Sequence, residues 1–301
     1  MNKLAIIYAR ILRDNRSRLS EIFKPEDFSP LFNLPIPPLE CKEGISGLPL
    51  GTKVDPAEFL SSRSLAMLIA RIETARLLPY DKGVNWIYFD RLHRQIPVLK
   101  GVMQAKDSTQ IFLNLIDDMA SRLESSEVFH IGTNHGAITA LLARECKNVI
   151  GVDILPEAIE NTELTLMTEV DELQDKVHLI NGDFSLLENL GQKRKYLFFD
   201  NPIFKGKIND PNSMAGEDFE LPKRAIKMLP SLLEKDGEAF LLIADPINKE
   251  AETNMFTLKI VQEYLDSSMP EWTSEKLDYF SEPLIHNRCE FRYNIVMIKR
   301  K

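Results

Sequence analysis

The chain has few of the residues that build stapled or metal-bound folds. Its three cysteines, Cys41, Cys146 and Cys289, are far apart and odd in number, which fits reduced cytoplasmic thiols better than a disulfide framework. No Cys-x-x-Cys or His-x-x-x-His spacing occurs and the five histidines are scattered, so no metal site is expected. No apolar run reaches the ~18 residues of a membrane-spanning helix. The stretch from Met1 to Ala9 is too short, and lacks the small-residue cleavage pattern, for a secretory signal. Repeats and low-complexity tracts are missing too. Positive charge is not in excess: 37 Lys and Arg face 45 Asp and Glu, for a net charge of −8. That balance counts against sequence-independent binding to long nucleic acids, which depends on phosphate neutralisation. What remains is an ordinary globular composition, 44% hydrophobic and 27% charged over 301 residues, enough for one substantial core or two domains.

Four short signals follow one another between residues 128 and 204. Val128-Phe129-His130-Ile131-Gly132-Thr133-Asn134-His135-Gly136 is an apolar strand entering a glycine-bearing turn, followed by a small-residue helix from Ala137 to Arg144. Val149-Ile150-Gly151-Val152-Asp153 is a second buried strand ending in a carboxylate, with a helix start at Leu155-Pro156-Glu157-Ala158. Val177 to Phe184 contains Asn181-Gly182-Asp183, and Tyr196-Leu197-Phe198-Phe199 leads into Asp200-Asn201-Pro202-Ile203-Phe204. Strand, turn and helix repeated in this way make βαβ units and a parallel sheet that holds ligands at the carboxyl ends of its strands.

Together the four signals resemble the class I S-adenosylmethionine (SAM)-dependent methyltransferases. The fourth is similar to the Asn-Pro-Pro-Tyr/Phe signature of the branch that methylates planar nitrogens. The resemblance implies an α/β fold: a Rossmann-like seven-stranded sheet with an antiparallel C-terminal strand, here Cys289 to Ile298. It implies a methyltransferase domain over 98–301 and a substrate-side helical extension over 1–97. The family has an acidic residue where this chain has His130, a glycine where it has Asn134, and a second proline where it has Ile203. Asn134 is a mild change, since asparagine tolerates left-handed backbone angles.

Residue by residue, the resemblance places the cofactor against His130, Gly132, Thr133, Asn134, Gly136, Asp153, Ile154, Asp183, Phe184 and Asn201. Asp153 would accept the ribose hydroxyls in charge-assisted bonds; Asp183 would accept the adenine amino group, with Phe184 packing on the ring. For the transfer, Asn201 and Pro202 would offer oxygens to the N–H groups of a flat acceptor while Phe204 stacks on it. A nitrogen conjugated to a π system is a poor nucleophile, and such contacts favour its pyramidalisation and alignment.

Elsewhere the spacing predicts an amphipathic helix over 2–24, in which Lys3, Arg10, Arg13, Arg16, Arg18 and Lys24 alternate with Leu4, Ile7, Ile11, Leu12, Leu19 and Phe23. A proline-rich connector over 24–56 follows, then a helix from Asp55 to about Leu78. A further helix is expected near Asn85, with Tyr88, Phe89, Leu92 and Ile96 on its face, before a short strand over Val98 to Val102. Asp107-Ser108-Thr109 caps a helix reaching Leu123. Lys205 to Gly216 reads as a polar flap, and Asp218 as the cap of a helix over 219–233. The expected activity is SAM-dependent N-methylation of a planar amide or amino nitrogen on a small-molecule or protein acceptor. An RNA or DNA amino group is the first alternative, kept open by the basic first helix, and a catalytically degenerate SAM-binding interaction protein is the second.

Overall fold

In a computed structural model the described residues are 39–40, 53–54, 84–92, 94–99, 101–103, 107–167, 173–206, 215–286 and 288–301. The expected first helix, the helix after Asp55, nearly all of the connector and the middle of the flap lie outside them. Within the connector, β1 (Leu39–Glu40) pairs with β2 (Lys53–Val54) in an antiparallel ladder.

The first departure from expectation comes at Asn85. In place of a helix the chain forms an antiparallel hairpin, β3 (Val84–Phe89) and β4 (Arg94–Leu99). Among the described side chains of the two strands, Ile87, Phe89, Ile96 and Val98 are buried, at a spacing of two along each strand. Ile87 lies opposite Ile96, so this pattern buries one face of the hairpin in the main core. Pro97, which has no amide to donate, is accommodated because the ladder has only two strands.

The rest alternates as the four signals require. Helices α1 (Asp107–Asp118) and α2 (Ala120–Leu123) replace the single expected helix and are separated at Met119. Then come β5 (Glu127–Ile131), α3 (Ala137–Glu145), β6 (Asn148–Asp153), α4 (Pro156–Met167), β7 (Val177–Asn181) and β8 (Arg194–Phe199). After them stand α5 (Glu220–Leu232), β9 (Leu233–Pro246), α6 (Lys249–Asn254) and α7 (Leu258–Ser268), then β10 (Trp272–Phe280), β11 (Leu284–His286) and β12 (Cys289–Arg300). Asp218 does not cap α5: Phe219 occupies that place at φ 55°, and Asp218 pairs instead with Lys223 at 2.7 Å.

The main sheet runs β10-β12-β9-β8-β5-β6-β7, with β11 attached to β12 alone. β9, β8, β5, β6 and β7 are mutually parallel, and β12 is antiparallel to both β9 and β10. This is the expected Rossmann-like α/β sheet of seven strands with an antiparallel C-terminal strand, plus the short β11. The central strands are continuous apolar runs because helices cover both faces. Among the described residues no helix is long and apolar enough to cross a membrane.

Candidate active site

The chain leaves β5 for β6 and β7 on one side, then returns to build β8 on the other side. Such a reversal opens a crevice at the strand carboxyl ends, here between β5 and β8. Gly132 enters it at φ 78°, and a side chain there would stand 2.9 Å from the Asp200 carbonyl oxygen. The Asp200 amide in turn donates to the Ile131 carbonyl at 3.2 Å. Asn134 adopts φ 49° and Gly136 φ 85°, and a Cβ on Gly136 would meet Thr162 Cα of α4 at 2.8 Å. The tight turn therefore rests on close backbone approach on both sides.

Asp153 closes the far side of this turn. Its Oδ2 accepts the Asn134 amide and its Oδ1 the Leu155 amide, both at 3.0 Å, with the Thr133 and Ile154 amides also directed at it. Burial nevertheless raises its pKa above the usual carboxylate range, the amides offsetting only part of that cost. No lysine or arginine among the described residues pairs with it. Ile154, the next residue, is 65% exposed and presents an apolar side chain beside the carboxylate.

His130 is fully buried under α3, its Nδ1 2.8 Å from Thr139 Oγ1 and its Nε2 without a partner. Burial and neighbouring His135 push its pKa down to about 3, so the ring is neutral at physiological pH. It therefore offers no negative charge where the family places a carboxylate. Two more buried polar atoms of the same turn, Thr133 Oγ1 and Asn134 Nδ2, also lack partners. Unsatisfied buried groups are rare in folded proteins and tend to mark a binding site.

Asp183 and Phe184 come to the end of β7 as expected, but both are engaged. Asp183 Oδ1 caps the following 3-10 segment through the Ser185 amide, and Oδ2 pairs with Arg224 at 2.5 Å. Burial raises the Asp183 pKa, yet the bonds from Ser185 and Arg224 outweigh it and hold the carboxyl below its usual range. Phe184 packs on Phe199 with ring centres 5.9 Å apart and carries the Arg224 guanidinium 4.4 Å from its centroid.

The segment after β8 is similarly tied in. Asn201 is buried; its Oδ1 accepts the Leu242 amide of β9 at 2.9 Å, and its Nδ2 donates to the Pro202 carbonyl at 3.1 Å. The β8–β9 ladder ends at Phe199 opposite Leu241, so the Asn201 carboxamide supplies the next rung. Ile203, standing where the family has proline, is buried and accepts the Phe256 amide at 2.7 Å. Phe204 contacts His286 and Phe291, with ring centres 4.5 and 5.7 Å away.

Two residues at this end of the sheet escaped the sequence reading. Asp200 is largely withdrawn from solvent; burial and the nearby Asp153 push its pKa up to about 7. No hydrogen-bond donor or cation among the described residues satisfies its carboxyl group. Tyr293 of β12 is raised to about 12 by burial and by Asp200 and Asp107. The available signal for Asp200 was an acid placed directly after four apolar residues of a buried strand.

No protein-family model matches the chain, and no curated protein does at a significant level. Solved structures similar to it include a precorrin-8w decarboxylase from Methanobacterium thermoautotrophicum, at 16% identity and TM-score 0.44 over 71% of this chain and 99% of that one. A ribosomal protein L11 methylase from Lactobacillus delbrueckii is similar at 15% identity and TM-score 0.44, over 68% and 84%. An rRNA methylase from Streptococcus thermophilus is similar at 21% identity and TM-score 0.39, over 66% and 98%.

Proposed function

We propose that the protein is a SAM-dependent N-methyltransferase acting on a planar amide or amino nitrogen. The observation that carries this reading is Asp153 at the end of β6, held by amides of the glycine turn and left without a cation. A part-buried carboxylate with no cation beside it suits a pair of sugar hydroxyls. The orphaned Thr133 and Asn134 groups, the side-chain-free approach at Gly132 and the exposed Ile154 beside Asp153 fit a nucleoside with a polar tail. When bound, SAM would supply an electrophilic methyl group.

Toward the acceptor, the Asn201 and Pro202 oxygens each keep a second lone pair beyond their internal bond. Asn201 thus shapes the loop as well as offering an acceptor to the incoming N–H, and Phe204 supplies an aromatic face. The acidic charge balance favours a small-molecule or protein acceptor over RNA or DNA. We place that acceptor at the carboxyl end of β8, beside Asn201 and Phe204.

A second reading, a binding protein without transferase activity, has its own support in the engaged states of Asp183, Phe184 and Asn201. Calorimetry with S-adenosylhomocysteine, followed by assay of labelled SAM with amide- and amine-bearing acceptors, separates the two. Binding with methylated nitrogen products supports the first; binding with no product under any acceptor supports the second. No binding removes both.

A further inference from the structure

Two carboxylates stand on either side of β5 at the carboxyl end of the sheet, Asp153 ending β6 and Asp200 following β8, without a positive charge to balance them. Asp153 has at least its amides, but the Asp200 carboxyl group has neither a hydrogen bond nor an ion pair among the described residues. The groups that face Asp200 are Asp153 from β6 and Tyr293 from β12, with Asp107 of α1 beyond the tyrosine. None is cationic. The two imidazoles of the adjoining turn are directed elsewhere, His130 to Thr139 of α3 and His135 to Thr109 of α1. An acid largely withdrawn from water and kept near others of its own sign costs stability unless a cation reaches it.

The location narrows what that can be. The Asp200 backbone abuts Gly132, and the same turn holds the Thr133 hydroxyl, 2% exposed and unpartnered. The open backbone at Gly132, the unsatisfied Thr133 hydroxyl and Asp200 thus belong to adjoining loops at the place where the chain reverses its direction across the sheet. Resting on the reading of the site given above, we propose that Asp200 is the counter-charge for the ammonium group of the ligand's amino-acid tail. It fills the place that neutral His130 leaves vacant. Because the Asp200 carboxyl is poised near neutrality in the free protein, loading of an ammonium-bearing ligand draws the proton off and strengthens as pH rises through about 7.

The test uses two probes sharing adenosine and thioether but differing in the tail. S-adenosylhomocysteine carries the ammonium and 5′-methylthioadenosine lacks it. In the full chain, affinity for S-adenosylhomocysteine should rise between pH 6 and 8 while that for 5′-methylthioadenosine stays flat. Asp200→Asn should weaken S-adenosylhomocysteine roughly ten- to a hundredfold, the range for a charged hydrogen bond, and change 5′-methylthioadenosine by less than about twofold. Equal affinities in parent and variant, or parallel pH profiles for the two probes in the parent, would overturn the assignment of Asp200 and leave the SAM site intact. Failure of the parent to bind either probe would instead overturn the site itself. The parent's pH profiles decide the matter even if the variant does not fold.

Discussion

Asp153 and Asp183 stand at the ends of neighbouring parallel strands and look alike in sequence, each an acid after an apolar run. Their surroundings differ. Asp183 is held by a guanidinium and a helix-start amide, and its pKa falls. Asp153 has only amides around it, and its pKa rises. The first carboxylate is compensated by a cation of the protein and the second is not. Asp200, without even amides, extends the second class. Availability follows from missing internal partners rather than from residue type.

The largest test of this contrast lies at Asn201, which is both engaged and proposed to act. Asn201→Ala should reduce turnover roughly a hundredfold or more, as for loss of one positioned polar group. It should also lower unfolding stability by about 1–3 kcal/mol, because the Leu242 amide loses its acceptor. A variant that is destabilised yet turns over normally would make Asn201 structural alone. Asp153→Ala should weaken S-adenosylhomocysteine binding by about 1.5–3 kcal/mol, measured by calorimetry; unchanged affinity would place the ribose elsewhere.

The buried acid and the buried base should pull stability in opposite directions. In the folded protein Asp200 keeps its proton to about pH 7, whereas an unfolded aspartate releases it near pH ~3.9. Its contribution is therefore greatest at low pH and lost as pH rises through about 7. Asp200→Asn should be more stable than the parent at pH 8, by roughly 1–3 kcal/mol, and the gain should shrink toward pH 4. His130 stays neutral down to about pH 3 against ~6.5 when unfolded, so its contribution is present above ~6.5 and lost as pH falls. His130→Gln should flatten the acid limb. Denaturant titrations across pH with both variants check the two slopes, and slopes of equal sign would contradict the burial described.

The smallest expected effect is at Asp183. Asp183→Asn should leave S-adenosylhomocysteine affinity within about twofold, because Arg224 already supplies the counter-charge of this carboxylate. Loss of this half-exposed pair should cost stability only ~0.2–1 kcal/mol. A tenfold loss of ligand affinity would erase the contrast between Asp183 and Asp153.

Much of this architecture could be read from the residues. Buried parallel strands are recognisable as apolar runs because both faces are covered, so β5, β6 and β8 stood out. The turn from Gly132 to Gly136 was legible because few residues accept positive φ, and Asn134 is one of them. The hairpin β3–β4 was misread: Phe89, Leu92 and Ile96 lie at helical spacing while the face actually buried alternates at Ile87, Phe89, Ile96 and Val98. Only a packed partner selects between two such periods.

By itself, then, the sequence determined which segments between residues 128 and 204 become strands, where that stretch turns left-handed and which residue types reach the carboxyl end of the sheet. Those are local properties of dihedral freedom and apolar pattern. Which polar groups remain open there was decided by the tertiary structure alone. Arg224 neutralises Asp183 from 41 residues away, and Leu242 takes up the Asn201 oxygen across the same separation. No comparable partner among the described residues arrives for Asp200. Charge compensation acts over ångströms in space, and the chain brings those partners together only by folding.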